Sequence, residues 1–339
     1  MKQAAIDIHT HVEFAGTFDI LKKRYTEEEI FNRFVVPVTG RRSAELNRGI
    51  ISGIREALRD PQKKIRDMEE KGIGLCVLSS TPFGFFYEVE DGLAVELARF
   101  QNDQLSEMVK KYPDRFAAMA TLPLQVPGEA LKELERAIKT LGLRGVEIGS
   151  HVSNRELGDE AFWPIYKALE DLDVPIFIHP HHVAGLDRLM DFYLSNLIGN
   201  PLDTTIAAAQ LIFSGVLEKY PGLKIILAHG GGQFPFIMGR MEHGYQVRPE
   251  PKEKVHQPPR AFLKNFYFDT ITHNAEALRY LIAFAGSHHV LLGSDYPYDM
   301  GDTNPVQTVS KLSGIKAADR RKIMRDNAIA LFGLQASEP

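Results

Sequence analysis

Cysteine is nearly absent from these 339 residues, and the single one, Cys76, excludes an internal disulfide. That scarcity fits a reducing compartment, so the cytoplasm is the expected location. Cys76 lies within Ile73-Gly74-Leu75-Cys76-Val77-Leu78, the setting of a small buried hydrophobe rather than of a nucleophile. Apolar runs are short as well: none approaches the roughly 18 residues a spanning helix needs, and no membrane partner is expected. The opening Met-Lys-Gln-Ala-Ala lacks the architecture of a signal peptide. An excess of one charge is also missing. With 40 Lys and Arg against 44 Asp and Glu, the net charge of −4 argues against nucleic acid or an anionic membrane as the main partner. Repeats, low-complexity tracts and linkers are lacking too, so a single domain over 1–339 is expected.

What the chain does contain is one construction used four times. Ile6-Asp7-Ile8-His9-Thr10-His11, Val174-Pro175-Ile176-Phe177-Ile178-His179, Ile225-Ile226-Leu227-Ala228-His229 and Val290-Leu291-Leu292-Gly293-Ser294-Asp295 are apolar runs of strand length. Each stops on a metal-competent residue. Taken singly they are weak signals, since a histidine closing a buried strand is commonly a hydrogen-bonded core residue. Asp295 on its own reads as a turn carboxylate in Gly-Ser-Asp-Tyr-Pro. Jointly they point to a metal site, because neutral imidazoles with a carboxylate suit a divalent transition metal such as zinc.

Between these runs strand and helix alternate. Strands are expected near 4–8, 73–78, 116–121, 145–148, 174–179, 225–229, 266–269 and 290–295. Helices are expected near 60–71, 91–111, 128–140, 160–172, 233–245 and 274–285, with a long helical tract, broken at Asn200-Pro201, ending near Tyr220. Eight strands with crossover helices make a parallel α/β sheet closed as a (β/α)8 TIM barrel, in which all strand C-termini share one mouth. An open doubly wound sheet would leave the first and last strands apart. The stretch at about 12–60, rich in Phe, Arg and Pro, breaks the rhythm and reads as an insertion over the barrel mouth. The tail from about Pro305 to Phe332 is expected as a helical extension packed outside the barrel.

His9-Thr10-His11, His179-Pro180, Ala228-His229-Gly230-Gly231-Gly232 and Gly293-Ser294-Asp295-Tyr296-Pro297 together resemble the amidohydrolase superfamily, and within it the metal-dependent decarboxylase branch. The resemblance spans nearly the whole chain. It implies one divalent ion, zinc in first place and manganese as the alternative, held by His9, His11, His179 and Asp295. It implies that His229 exchanges a proton with metal-bound water or the substrate, with Asp295 assisting. The strand-four position that carries a modified lysine in two-metal relatives reads Glu147-Ile148-Gly149-Ser150-His151 here, hence a single ion.

The resemblance also implies a substrate-binding arginine, acting across a homodimer or higher homo-oligomer, which Arg240 matches; a helix-surface arginine is the plain alternative. Arg suits a planar carboxylate because it donates twice in one plane. A second arginine of the branch falls on Ser52, a departure for which Arg48 and Arg42 are candidate substitutes. Phe83 and Phe86, with Phe85 and Tyr87, are candidates for an apolar slot, although an aromatic core cluster reads equally well. His181 is a candidate pocket group, or with His182 a solvated pair; His151 has no assigned role. The expected activity is non-oxidative decarboxylation of a small unsaturated or hydroxylated aromatic carboxylic acid. A metal-dependent hydrolase of amide, lactone or carbon–carbon bonds, or a hydratase, is the competing class.

Overall fold

The structure, a computed structural model, describes residues 4–335; residues 1–3 and 336–339 of the expected 1–339 domain lie outside it. Eight strands follow one another in the expected order. They are β1 (Ala5–Val12), β2 (Ile73–Ser80), β3 (Phe116–Ala118, resumed at Ala120–Thr121), β4 (Val146–Gly149), β5 (Ile176–His179), β6 (Ile225–Leu227), β7 (Phe266–Asp269) and β8 (Val290–Leu291). All pair in parallel, in the order β1-β2-β3 and then β3-β4-β5-β6-β7-β8, so β3 links the two runs. The ring closes between last and first strand. Ile8 N–H donates to Leu292 O (2.9 Å), Asp295 N–H to His9 O (2.8 Å) and His11 N–H to Tyr296 O (2.9 Å).

Helix ends follow the local chemistry. Asp60 caps the helix Pro61–Lys71 by accepting from Gln62 N–H, Pro61 occupies the first turn where no N–H is needed, and Gly72 ends it at φ +74°. The helices Asp91–Lys111, Pro127–Lys139, Trp163–Leu172, Asn200–Phe213, Phe234–Val247 and Ala275–Ala285 lie between strands. Their apolar sides and the outward faces of the strands form the larger core.

The barrel interior holds a second, smaller core. Ile6, Ile8, Val77, Ala117, Met119, Phe177, Ile226 and Leu291 meet there with Ala328, Leu331 and Phe332. The tail therefore does not lie wholly outside the barrel. Its last helix, Asn327–Phe332, plugs the end where the strands begin, with the Phe332 ring against Gly145. Burying each such side chain stabilises by about 1.5–3 kcal/mol, which is reason enough for the tail to turn inward.

Residues 15–59 are mostly helical, with Ala15–Leu21 and the 19-residue Arg41–Arg59 as the longest α-helices. Ile20, Leu21, Ile30 and Phe34 pack on Phe86, Val89, Leu93 and Leu97. Asn47, Ile50 and Ile51 of the long helix line a cavity that also reaches His179, His229 and Asp295.

Candidate metal centre

One irregularity of β1 sets the site. Along that strand Asp7 pairs with Cys76 and Thr10 with Leu78, so three steps on β1 oppose two on β2. The extra residue is a β-bulge, and it shifts the alternation of faces. Ile6 and Ile8 point into the interior core below it, yet the next residue, His9, also points inward and meets Phe177 ring to ring at 4.7 Å. Asp7, between Ile6 and Ile8, faces outward by plain alternation and accepts from Ser294 N–H and Oγ–H. Without the bulge, the apolar floor and the two histidines would face opposite sides.

Above that floor, ligand atoms of His9, His11, His179 and Asp295 all lie within 4.8 Å of one another, and all four residues are buried. Each imidazole is tied on its far side. His9 Nδ1 is 2.7 Å from Asp269 Oδ2, His11 Nδ1 is 3.2 Å from Ser80 O, and His179 Nδ1 is 3.0 Å from Pro180 O. Carboxylate and carbonyl oxygens only accept, so Nδ1 carries the proton in each ring and Nε2 is left with a bare lone pair. Those lone pairs converge. His9 Nε2 lies 3.1 Å from His11 Nε2, and Asp295 Oδ1 lies 3.1 Å from His11 Nε2 and 3.4 Å from His9 Nε2. Asp295 Oδ1 is buried with no hydrogen-bond partner. Acceptors this close repel one another unless a cation sits among them, and neutral imidazole nitrogens with a carboxylate are a transition-metal donor set.

The electrostatics agree. Burial would raise the Asp295 carboxyl, but His9, His11 and His229 outweigh it and hold the group well below its usual range. Burial, helped by the neighbouring imidazoles, keeps His179 well below the ordinary histidine value. His9 is the exception: burial opposes its charge, yet Asp295, Asp269 and Glu147 push it up to about 9.

His229 stands over the tetrad, its ring 5.1 Å from that of His179 and 5.3 Å from that of His9. Its side chain is 16% exposed, Nε2 is 3.6 Å from Asp295 Oδ2, and Nδ1 has no partner. Both His229 (φ +55°) and Asp295 (φ +58°) adopt left-handed backbone, a conformation that costs a non-glycine residue about 1–3 kcal/mol. Asp269 holds the first of these turns, its carboxylate accepting from His229 N–H (2.8 Å) and Gly230 N–H (2.7 Å).

Other groups fall in different places. Phe83 lines the cavity beside His179 and His229, with Tyr193, Tyr298 and Met300. Phe86 is buried against Phe34 and walls a neighbouring cavity of about 670 Å³, which Arg48 also lines while lying over the Phe31 ring at 3.8 Å. Arg42 lines a separate surface cleft with Phe192 and Tyr193. Ser52 and Arg240 are exposed, and Arg240 is not among the residues lining the cavities at His229. His181 is 3% exposed and packs edge-on against Phe85 and Tyr87 rather than along the cavity. His151 is spent on backbone, its ring nitrogens 2.9 Å from Ser153 O and His182 O.

Three contributors escaped the reading of the sequence. Asp269 ends an apolar run, Phe266-Tyr267-Phe268, as the tetrad residues do, and that was the available signal. Glu147 is fully buried 3.9 Å from His11 Nδ1, and burial raises its carboxyl to about 8. Lys64, buried, donates from Nζ to Thr10 Oγ1 (3.3 Å) and His11 O (3.0 Å) and pins the strand at the second histidine.

The amidohydrolase family model matches residues 6–334. The chain is 35% identical over 280 residues to 2-amino-3-carboxymuconate-6-semialdehyde decarboxylase of Dictyostelium discoideum, covering 82% of this chain and 78% of that protein. It is 33% identical over 295 residues to gamma-resorcylate decarboxylase of Polaromonas sp. strain JS666, covering 83% and 90%. Among solved structures it is similar to a dihydroxybenzoic acid decarboxylase of Polaromonas sp. JS666 with bound manganese and the inhibitor 2-nitroresorcinol, at 28% identity and a TM-score of 0.81 over 98% of this chain and 97% of that one. With eight parallel strands closed into a barrel, a histidine-aspartate cluster at its mouth and relatives that are decarboxylases, this chain belongs to the amidohydrolase family.

Proposed function

We propose that this protein is a metal-dependent, non-oxidative decarboxylase of a small hydroxylated aromatic or unsaturated carboxylic acid. The observation that carries the reading is the convergence of His9, His11 and His179 Nε2 lone pairs on the Asp295 carboxylate, with every Nδ1 already committed. His9, His11, His179 and Asp295 are its proposed ligands, for one divalent ion. Zinc is the first choice from the donor set, and manganese is the ion in a related structure. When bound, such an ion supplies an electrophile that polarises a ligated oxygen.

The chain's own residues do the rest. Phe83 and Tyr298 border a narrow cavity suited to a flat ring. His229 lines that cavity, the position for handing a proton to the carbon that carries the carboxylate. As the carbon–carbon bond breaks, its electron pair stays on that carbon, the proton from His229 joins it, and carbon dioxide leaves. Asp295 Oδ2, near His229 Nε2, steadies the imidazolium between turnovers.

The barrel and the helical stretch after β1 act as one domain in this reading, because both line the cavity. A reducing, cytoplasmic setting fits the lone buried Cys76, and no helix of the described residues is long and apolar enough to cross a membrane. Arg240 contributes from a second copy of the chain. Supporting this, it sits on the helix that carries Phe236 (82% exposed), beside Tyr280 (47% exposed) and a cleft that opens on His229.

Metal-loaded protein incubated with a panel of hydroxybenzoates and muconate semialdehydes in labelled water tests the assignment. Release of carbon dioxide with solvent hydrogen placed on carbon is the expected result. Labelled oxygen in product without carbon dioxide would instead establish a hydrolase.

A further inference from the structure

A second group of metal-competent side chains lies outside the cavity. Glu88, in the loop after β2, meets His181 and His182, in the loop after β5, with ligand atoms within 4.8 Å of one another. His181 is 3% exposed, and its backbone N–H donates to Ser150 Oγ at 3.1 Å, which fixes the residue in place. Neither of its ring nitrogens has a hydrogen-bond partner, and His182 Nε2 has none either. Leaving a buried polar atom bare costs about 1–3 kcal/mol, so three in one place call for an explanation.

The spacing supplies one. Glu88 Oε1 lies 3.4 Å from His182 Nε2 and 3.7 Å from His181 Nε2. Those separations are too long for good hydrogen bonds, but they match the edges of a tetrahedron. Bonds of about 2.0–2.2 Å to a central zinc put neighbouring ligand atoms about 3.3–3.6 Å apart. The two rings stand nearly perpendicular, centroids 4.3 Å apart, so their nitrogens converge without stacking. Glu88, 28% exposed in its side chain, leaves an open side through which an ion and a water can enter.

We propose that Glu88, His181 and His182 hold a second divalent transition-metal ion, zinc by the character of two imidazoles and a carboxylate. This ion is structural. It ties the loop after β2 to the loop after β5 and keeps Phe85 and Tyr87 pressed on the His181 ring, two residues beyond His179. His181 then acts as a ligand in the wall of the barrel mouth and not as a contact for substrate.

Zinc titrated into chelator-stripped full-length protein, with bound metal measured by elemental analysis after gel filtration, tests this. Two ions per chain are expected in the parent, the second released at least tenfold more readily by a competing chelator. Glu88→Gln and His182→Ala should each bind one. Asp295→Asn should lose the tetrad's ion and keep the other, so failure of either site is separately visible. Glu88→Gln alters a partly exposed group isosterically and decides the matter even if His182→Ala does not fold. Cobalt added in place of zinc should give a tetrahedral visible band in Asp295→Asn. A single ion in the parent, or two in Glu88→Gln, overturns the proposal.

Discussion

The tetrad at the barrel mouth and the Glu88 trio beside it use the same side chains in opposite ways. In the tetrad every imidazole is anchored through Nδ1 by an acceptor drawn from a neighbouring strand end or loop, and the rings stand on a packed apolar floor. In the trio neither ring nitrogen of His181 has a hydrogen-bonded acceptor, and both Glu88 and His182 reach solvent. Anchoring fixes tautomer and orientation before any ion arrives, so little ordering remains to be done on binding. The difference separates a site built to hold charge in one geometry from one that fastens two loops.

Substitutions that strip the tetrad of its advantages test that contrast. The largest effect on turnover belongs to the ligands: Asp295→Asn, or removal of metal by chelation, should reduce carbon dioxide release to the uncatalysed rate. Restoration on adding back zinc or manganese checks the second case. His229→Ala should retain the tetrad's metal yet lose about 10²–10⁴-fold in kcat, the ordinary worth of a positioned proton donor. Metal content measured beside turnover separates it from a ligand. Asp269→Asn leaves the four ligands untouched and removes the charge that orients His9. Tetrad affinity should drop about 10–100-fold, read by competition with a chelator, while kcat at saturating metal falls less. Phe332→Ala should change turnover per folded molecule least of all. It opens the barrel floor and should lower stability by about 3–5 kcal/mol in denaturant unfolding. A Phe332→Ala protein that loses metal affinity as strongly as Asp269→Asn would show that anchoring and floor cannot be separated.

Much of this architecture is legible before any coordinates. Each barrel strand reads as an apolar run, because strands buried on both faces need no polar alternation. Asp60-Pro61 and Gly72 mark helix ends by chemistry confined to a few residues. His9, His11, His179, His229 and Asp295 could be gathered because a parallel barrel brings its strand C-termini to one mouth, and the family resemblance picked the four ligands out of them. The bulge in β1 was not legible: a local reading gives plain alternation, and the extra residue exists only in register against β2. Asp269 went unassigned because an aspartate closing a strand looks alike whether it binds an ion or a ligand's N–H. The inward turn of Leu331 and Phe332 depends on an empty barrel end, which tertiary structure alone creates. Arg240 is exposed and is not among the residues lining the cavities at His229, so the sequence match alone suggests its role.

The seam between β8 and β1 has a consequence for how the protein is made. Asp295 N–H bonds to His9 O across that junction, so the donors of the tetrad come from polypeptide synthesised at opposite ends of translation. A nascent chain still lacking β8 offers three imidazoles with no carboxylate to complete them. The full set of four proposed ligands therefore exists only once β8 has closed on β1.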